Sequence, residues 1–283
     1  MEKPNVSIGI CAYNEEKNIG RLLSFLQKER FEFNLKEIIV VASGCTDRTV
    51  NIVRKFTRKN KKIKLIVERK RRGKASAVNV ILRKAKGEVI VFIGADNIPL
   101  RGSINKLVKP LLKEGVGASS GHPIPMEGKG LKAKVEEIVW NLHDEVCKRF
   151  PKISGELFAI KASLIRKIPS TIINDDSYFA AQIIRKGSKI AYVSDAITYM
   201  ISKDYGLFSH LKRRRRIARG YLQLRELGLS YSIPPFLTLS ILLSLIRKKQ
   251  MKLSIILLAL LLEILANILA YIDTLIGYTP FRW

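Results

Sequence analysis

The chain has 283 residues, 47% apolar and 27% charged, a balance that excludes a disordered or collagen-like polymer. Lysine and arginine outnumber acids by 51 to 24, a formal charge of +27, which favours polyanionic partners (nucleic acid, nucleotide phosphates or an anionic membrane surface) and leaves a merely solvated basic surface as the plain alternative. Three scattered cysteines (Cys11, Cys45, Cys147) with no CxxC pair argue against a disulfide framework or zinc ribbon and for a reducing compartment.

The opening residues, MEKPNVSIGICAYNEE, read as no signal peptide. A β-rich run from Val6 to Ala12 predicts the first strand. Asn14 follows as an expected helix N-cap, with Glu15 and Glu16 at the positive helix end and Ile19, Leu22, Leu23 and Leu26 at helical spacing. Glu37 to Ala42 predicts a second strand, and SGCTDRT leads into a helix with Val50, Val53 and Phe56 on one face. Ile63 to Val67 reads as a strand, Lys74 to Lys86 as a helix closed by Gly87, and Val89 to Ile93 as a buried strand. Apolar strands alternating with helices imply an α/β fold with a parallel sheet, in which ligands bind beyond the carboxyl ends of the strands. Polar clusters stand at those ends: 13–15, 43–47 and 94–97. The chain carries neither GxGxxG nor GxxxxGK[ST], so dinucleotide and P-loop fingerprints are absent.

The C-terminal part differs in kind. Beyond Ser232 the net charge is only +3, leaving +24 on the first 232 residues. Leu253 to Tyr271 is nearly continuously apolar and matches the roughly 20 residues that cross a bilayer core of about 30 Å. Glu263 inside it costs a few kcal/mol at mid-membrane unless paired, so it is expected to face another helix. Ile233 to Ile246 is short for a span. The basic RKKQMK and the run Arg213 to Arg216 both favour the cytoplasmic side, so the second apolar run alone is expected to cross. The expected organisation is residues 1–226 as a catalytic domain and 227–283 as a membrane-associated region, with 233–246 interfacial or a short span and 253–272 a transmembrane helix.

The segments VSIGICAYNEEKNIGRLL, VVASGCTDRT, GKASAVN and VIVFIGADN occur in an order and spacing that resemble glycosyltransferase family 2. SGELFAIKASLI, INDDSYFAAQIIRKG and RRRRIARG resemble that family's acceptor-side region, its ED motif and its QRRRW-like motif, so the likeness covers residues 4 to 225. The resemblance implies a GT-A, Rossmann-like, mostly parallel sheet flanked by helices. It also implies an inverting, divalent metal-dependent transfer from a UDP- or GDP-sugar to a lipid-linked or polysaccharide acceptor at the cytoplasmic membrane face.

That likeness transfers roles position by position. Asp96 matches the last Asp of the DxD motif and becomes the ligand for Mg²⁺ or Mn²⁺, a hard cation that takes carboxylate oxygens. The motif's first Asp is Gly94 here, and His122 or His143 is an added ligand candidate, each against a purely structural reading. Tyr13, Asn14 and Glu15 fall on the base and ribose side. Asp47 either joins them or caps a helix. Ala42 and Ser43 stand where the family has an acidic pair, which leaves the nucleotide open. Lys74 resembles the phosphate-side lysine. Asp176 aligns with the ED base and Asp175 with its neighbour; an acceptor that is already anionic, such as a lipid phosphate, needs no base, and Asp176 then positions groups instead. Arg213 and Arg216 in the QRRR-like run either clamp a diphosphate with paired N–H donors or meet anionic lipid headgroups. Two rival classes weigh less. A nucleotidyltransferase usually has a GxGxR loop where this chain has CAYNEE, and a membrane-tethered nucleic-acid binder lacks any reading motif, so no nucleic acid is expected.

Overall fold

The structure is a computed structural model that describes residues 3–126, 128, 130–201, 206–229, 235–247 and 252–279. In chain order the elements are β1 (Asn5–Ala12), α1 (Ile19–Lys28), β2 (Asn34–Ser43), α2 (Thr49–Lys59), β3 (Ile63–Glu68), α3 (Lys74–Lys84), β4 (Val89–Ile93), β5 (Asn97–Pro99) and α4 (Ser103–Val108). They continue as β6 (Val116–Pro125), α5 (Gly130–Arg149), β7 (Leu157–Lys161), α6 (Asp175–Arg185), β8 (Lys189–Met200), α7 (Gly206–Glu226), α8 (Pro235–Arg247) and α9 (Leu253–Leu275).

Among the described residues eight strands form one sheet in the order β3-β2-β1-β4-β7-β6-β8-β5. The first four pair in parallel, as the alternation of strands and helices predicts. Beyond β4 the sheet becomes mixed: β7 runs antiparallel to both β4 and β6, while β6 and β8 are parallel. β1 shows why its run is apolar throughout. Val6, Ile8 and Ile10 pack under α1 and α4, whereas Cys11 on the other face meets the α3 side, so both faces are covered. On the second face Phe92, Phe158 and Phe179 stack with centroids 4.9 to 5.7 Å apart and join β4 and β7 to α6.

Two expected helix boundaries are corrected. Asn14 does not cap α1, which begins at Ile19 with Asn18 in the cap position. Asn14 adopts a left-handed backbone (φ 52°) and its side chain binds Thr46, so it closes a turn between the first two strand ends. Gly87 does not cap α3, which ends at Lys84 with Ala85 as the cap. A Cβ at Gly87 would lie 2.4 Å from the Ser7 backbone nitrogen, so glycine is there for close approach to β1.

The two apolar C-terminal runs are both helical over their described parts. Pro234 and residues 248–251, the core of the basic RKKQMK stretch, lie outside the described residues. α9 is 23 residues long with a mean hydropathy of 2.6 in its most apolar stretch, enough by length and composition to cross a membrane. It packs along α7 and touches α5. Glu263 faces a helix as expected: it pairs with Arg214 of α7.

Candidate active site

β1, β2 and β4 end at the same sheet edge, because Ala12 lies opposite Ala42 and Gly9 opposite Phe92. A cleft of about 490 Å³ opens there. Asp96, from the turn after β4, and Asp176, from the first turn of α6, both face it. One face each of α5 and α7 forms the opposite wall.

At the floor, Lys74 at the start of α3 donates to Asp175, Nζ to Oδ1 3.0 Å, with the Asp175 side chain only 7% exposed. Burial disfavours the ammonium, but the facing Asp175 and Asp176 outweigh it and hold Lys74 above its ordinary value. Asp176 is pushed up to about 6, chiefly by burial and then by the Asp175 charge, with Lys74 opposing. A carboxylate so placed changes charge near neutral pH, as a general base requires. The Asp176 Oδ1 also accepts the Ser177 backbone N–H at 2.6 Å, which fixes its rotamer.

On the first-strand side, Glu15 lines the cleft; its backbone N–H donates to Thr49 at 2.7 Å and its Oε2 accepts from Asn18 at 2.9 Å. The Arg71 guanidinium lies 4.0 Å from the Tyr13 ring centroid. Asp47 is engaged through both oxygens, accepting the Thr49 N–H at 2.9 Å and the Glu16 N–H at 3.0 Å. These bonds tie the first two turns together just before α2, whose cap position is held by Arg48.

Gly94 explains the departure from DxD. A Cβ there would fall 2.1 Å from Asn97 Nδ2, so the Asn97 side chain fills the space an aspartate would need. Asn97 Nδ2 donates to Asp96 Oδ1 at 3.2 Å, and the Asp96 carbonyl accepts Ile201 N–H at 2.9 Å. Among the described residues no three His, Cys, Asp or Glu side chains cluster for a metal. One hard carboxylate in a cleft still suits Mg²⁺ or Mn²⁺, which are commonly held by one or two carboxylates plus substrate phosphates and water. His122 does not line the cleft with Asp96, whereas His143 does. His122 bonds the Ser194 carbonyl and approaches Asp144, and His143 lies against Trp140 and Cys147, its imidazole held neutral well below its ordinary range by burial.

The sequence profile described as glycosyl transferase family 2 matches residues 7–168, more than half of the chain. The chain is a family 2 glycosyltransferase. A probable glycosyltransferase of Bacillus subtilis, YdaM, is 30% identical over 70% of this chain and 51% of its own, so the enzyme spans about half of that relative. The glycosyltransferase AglE of Haloferax volcanii is 22% identical over 78% of this chain and 74% of its own. Among solved structures, the mannosyltransferase PcManGT from Pyrobaculum calidifontis, in complex with GDP-Man and Mn²⁺, shares the fold at a TM-score of 0.70 and 22% identity, covering 97% of this chain and 88% of that one. The TarS fragment of S. aureus in complex with UDP-GlcNAc aligns at 0.55 and 20% identity over 78% of this chain and 67% of that one. These likenesses show the GT-A fold.

Within the glycosyltransferase, the fold thus brings Glu15, Lys74, Asp96, Asp175, Asp176, Arg213 and Arg216 to one cleft; Tyr13, Asn14 and Asp47 brace its first-strand rim. The arginine run divides its work. Arg213 pairs with Glu136, Arg214 with Glu263 and Arg215 with Asp273. Arg216 points into the cleft, where burial weakens its proton affinity against the pull of Asp175 and Asp176. Sequence reasoning missed Glu156 and, His143 apart, the α5 face. Lys132, Glu136, Trp140 and His143 line the cleft, and their i, i+4, i+8, i+11 spacing is the helical signal that marks them.

Proposed function

We propose that the enzyme moves a sugar from a UDP- or GDP-sugar, with inversion, to a lipid-linked or glycan acceptor at the cytoplasmic membrane face. The observation that carries this reading is the convergence of Asp96, Lys74 and Asp176 on one cleft. PcManGT, with the same fold, is in complex with GDP-Man and Mn²⁺, and TarS with UDP-GlcNAc.

Breaking the sugar–phosphate bond leaves negative charge on a diphosphate. Lys74, Arg213 and Arg216 supply cations toward it. Asp96 holds Mg²⁺ or Mn²⁺, which when bound neutralises diphosphate charge. Asp176 takes the acceptor hydroxyl proton, and Asp175 keeps Lys74 in place through their 3.0 Å pair. Glu15 orients the nucleoside side, with Tyr13, Asn14 and Asp47 shaping the turns around it. Residues 1–226 form the catalytic part. Residues 227–283 attach it to the membrane through α9, whose outward side exposes Leu257, Leu261, Ile264 and Ile268.

The test is calorimetric titration of UDP-, GDP- and dTDP-sugars with and without Mn²⁺, followed by transfer assays of Asp96→Ala and Asp176→Asn. Metal-enhanced binding of one donor and loss of transfer in both variants are expected. Full activity in both purified variants rejects the site.

A further inference from the structure

We infer that Glu263 and Asp273, on the apolar helix α9, are positioning residues that hold the cleft arginines in place. The inference rests on reading the cleft as a diphosphate site.

α7 serves two surfaces with four consecutive arginines. Residues three apart share a helix face, so Arg213 and Arg216 look the same way, and both line the cleft. The two between them reach α9, Arg214 from the edge of the cleft that it also lines. Arg214 grips Glu263 as a fork, Nε to Oε2 2.6 Å and Nη2 to Oε1 2.7 Å. Arg215 grips Asp273 the same way, Nε to Oδ2 2.7 Å with Nη2 on Oδ1. Asp273 is fully buried and Arg215 is its side-chain partner, so this carboxylate depends on the guanidinium for its place.

The spacing matters as much as the bonds. Arg214 and Arg215 are neighbours, yet their acids lie ten residues, about 15 Å, apart along α9. Two adjacent side chains thus seize α9 at two separated points. A single attachment leaves a helix free to roll, and two distant ones fix its rotation. Between them Ala266 and Ala270 are fully buried, so small side chains allow close approach there. Bidentate pairs of this kind impose direction as well as energy. With α7's roll fixed by α9, Arg213 and Arg216 stay aimed at the cleft.

Pairs that merely fasten α9 would affect stability and leave ligand preference alone. The experiment is calorimetry on the full chain in detergent micelles with UDP and GDP, and with UMP and GMP, which lack the outer phosphate. In Glu263→Gln the dissociation constant of the bound diphosphate is expected to rise about tenfold, roughly one charge-assisted hydrogen bond, while that of its monophosphate changes less than about twofold. Asp273→Asn provides the second attachment point, and a thermal melt of each variant confirms folding. Equal changes for both nucleotides, or none, would overturn the inference. A wild-type protein that binds neither diphosphate overturns the functional reading beneath it instead.

Discussion

Replacing Lys74 with Met removes the cation that faces Asp175 and Asp176. The site of a Cβ on Gly155 lies 3.3 Å from Lys74 Nζ and 3.3 Å from Asp176 Oδ2, so the two charges are at most 6.6 Å apart. At an effective dielectric constant of about 20, that separation gives at least roughly 2.5 kcal/mol, close to 2 pH units. Asp176 already stands at about 6, so its ionisation in the variant moves toward roughly pH 8. The assay is kcat/KM for sugar transfer against pH, which reports the free enzyme. The acidic limb should lie near pH 6 in the wild type and about 2 units higher in Lys74→Met. Asp175→Asn removes a like charge and should move the same limb downward, an opposite sign that general damage cannot produce. A limb that stays near pH 6 in both folded variants refutes the electrostatic account of the floor.

Other consequences follow from the same geometry. Asp96→Ala should abolish Mn²⁺-enhanced donor binding in calorimetry and lower transfer at least about a hundredfold, as for loss of a Lewis-acid site. Asp176→Asn should raise stability at neutral pH. The raised native value means the folded state favours the protonated acid, so stability is greatest below the ordinary value of 3.8 and falls as pH climbs through about 6. Removing the charge recovers roughly 1–3 kcal/mol at pH 7 and none at pH 3, read from urea melts at both. Gly220→Ala puts a Cβ 2.3 Å from the Asn174 side chain, which donates to the Ile217 carbonyl at 2.8 Å. Overpacking should cost about 1–3 kcal/mol and outweigh the gain in helix propensity, seen as a lower melting temperature.

The family could be read from the order of its motifs, and the parallel half of the sheet from apolar runs, because both rest on local signals. Apolar runs flanked by Asn, Gly and Asp place the strand ends, and binding residues sit at those ends in an α/β sheet. What failed locally was decided by contacts remote in sequence. Asn14 is chemically a fine helix cap, but Thr46, thirty-two residues on, binds its side chain and turns the backbone left-handed. Gly87 suits a helix end, yet it is glycine because β1 passes against it. The stripe of α5 was visible in its spacing, though nothing local said which face meets the cleft.

From the chain alone came the family, the parallel half of the sheet and the aspartates at its edge, since hydrophobic period and motif order are properties of neighbouring residues. Tertiary structure alone assigned each arginine of the 213–216 run. Four identical side chains in a row carry no local distinction, and only the helix's rotation between the cleft and α9 determines that Arg213 and Arg216 line the cleft, that Arg215 meets Asp273 and that Arg214 does both, lining the cleft and meeting Glu263. That rotation is set by partners roughly fifty residues downstream, beyond the reach of any pattern within α7.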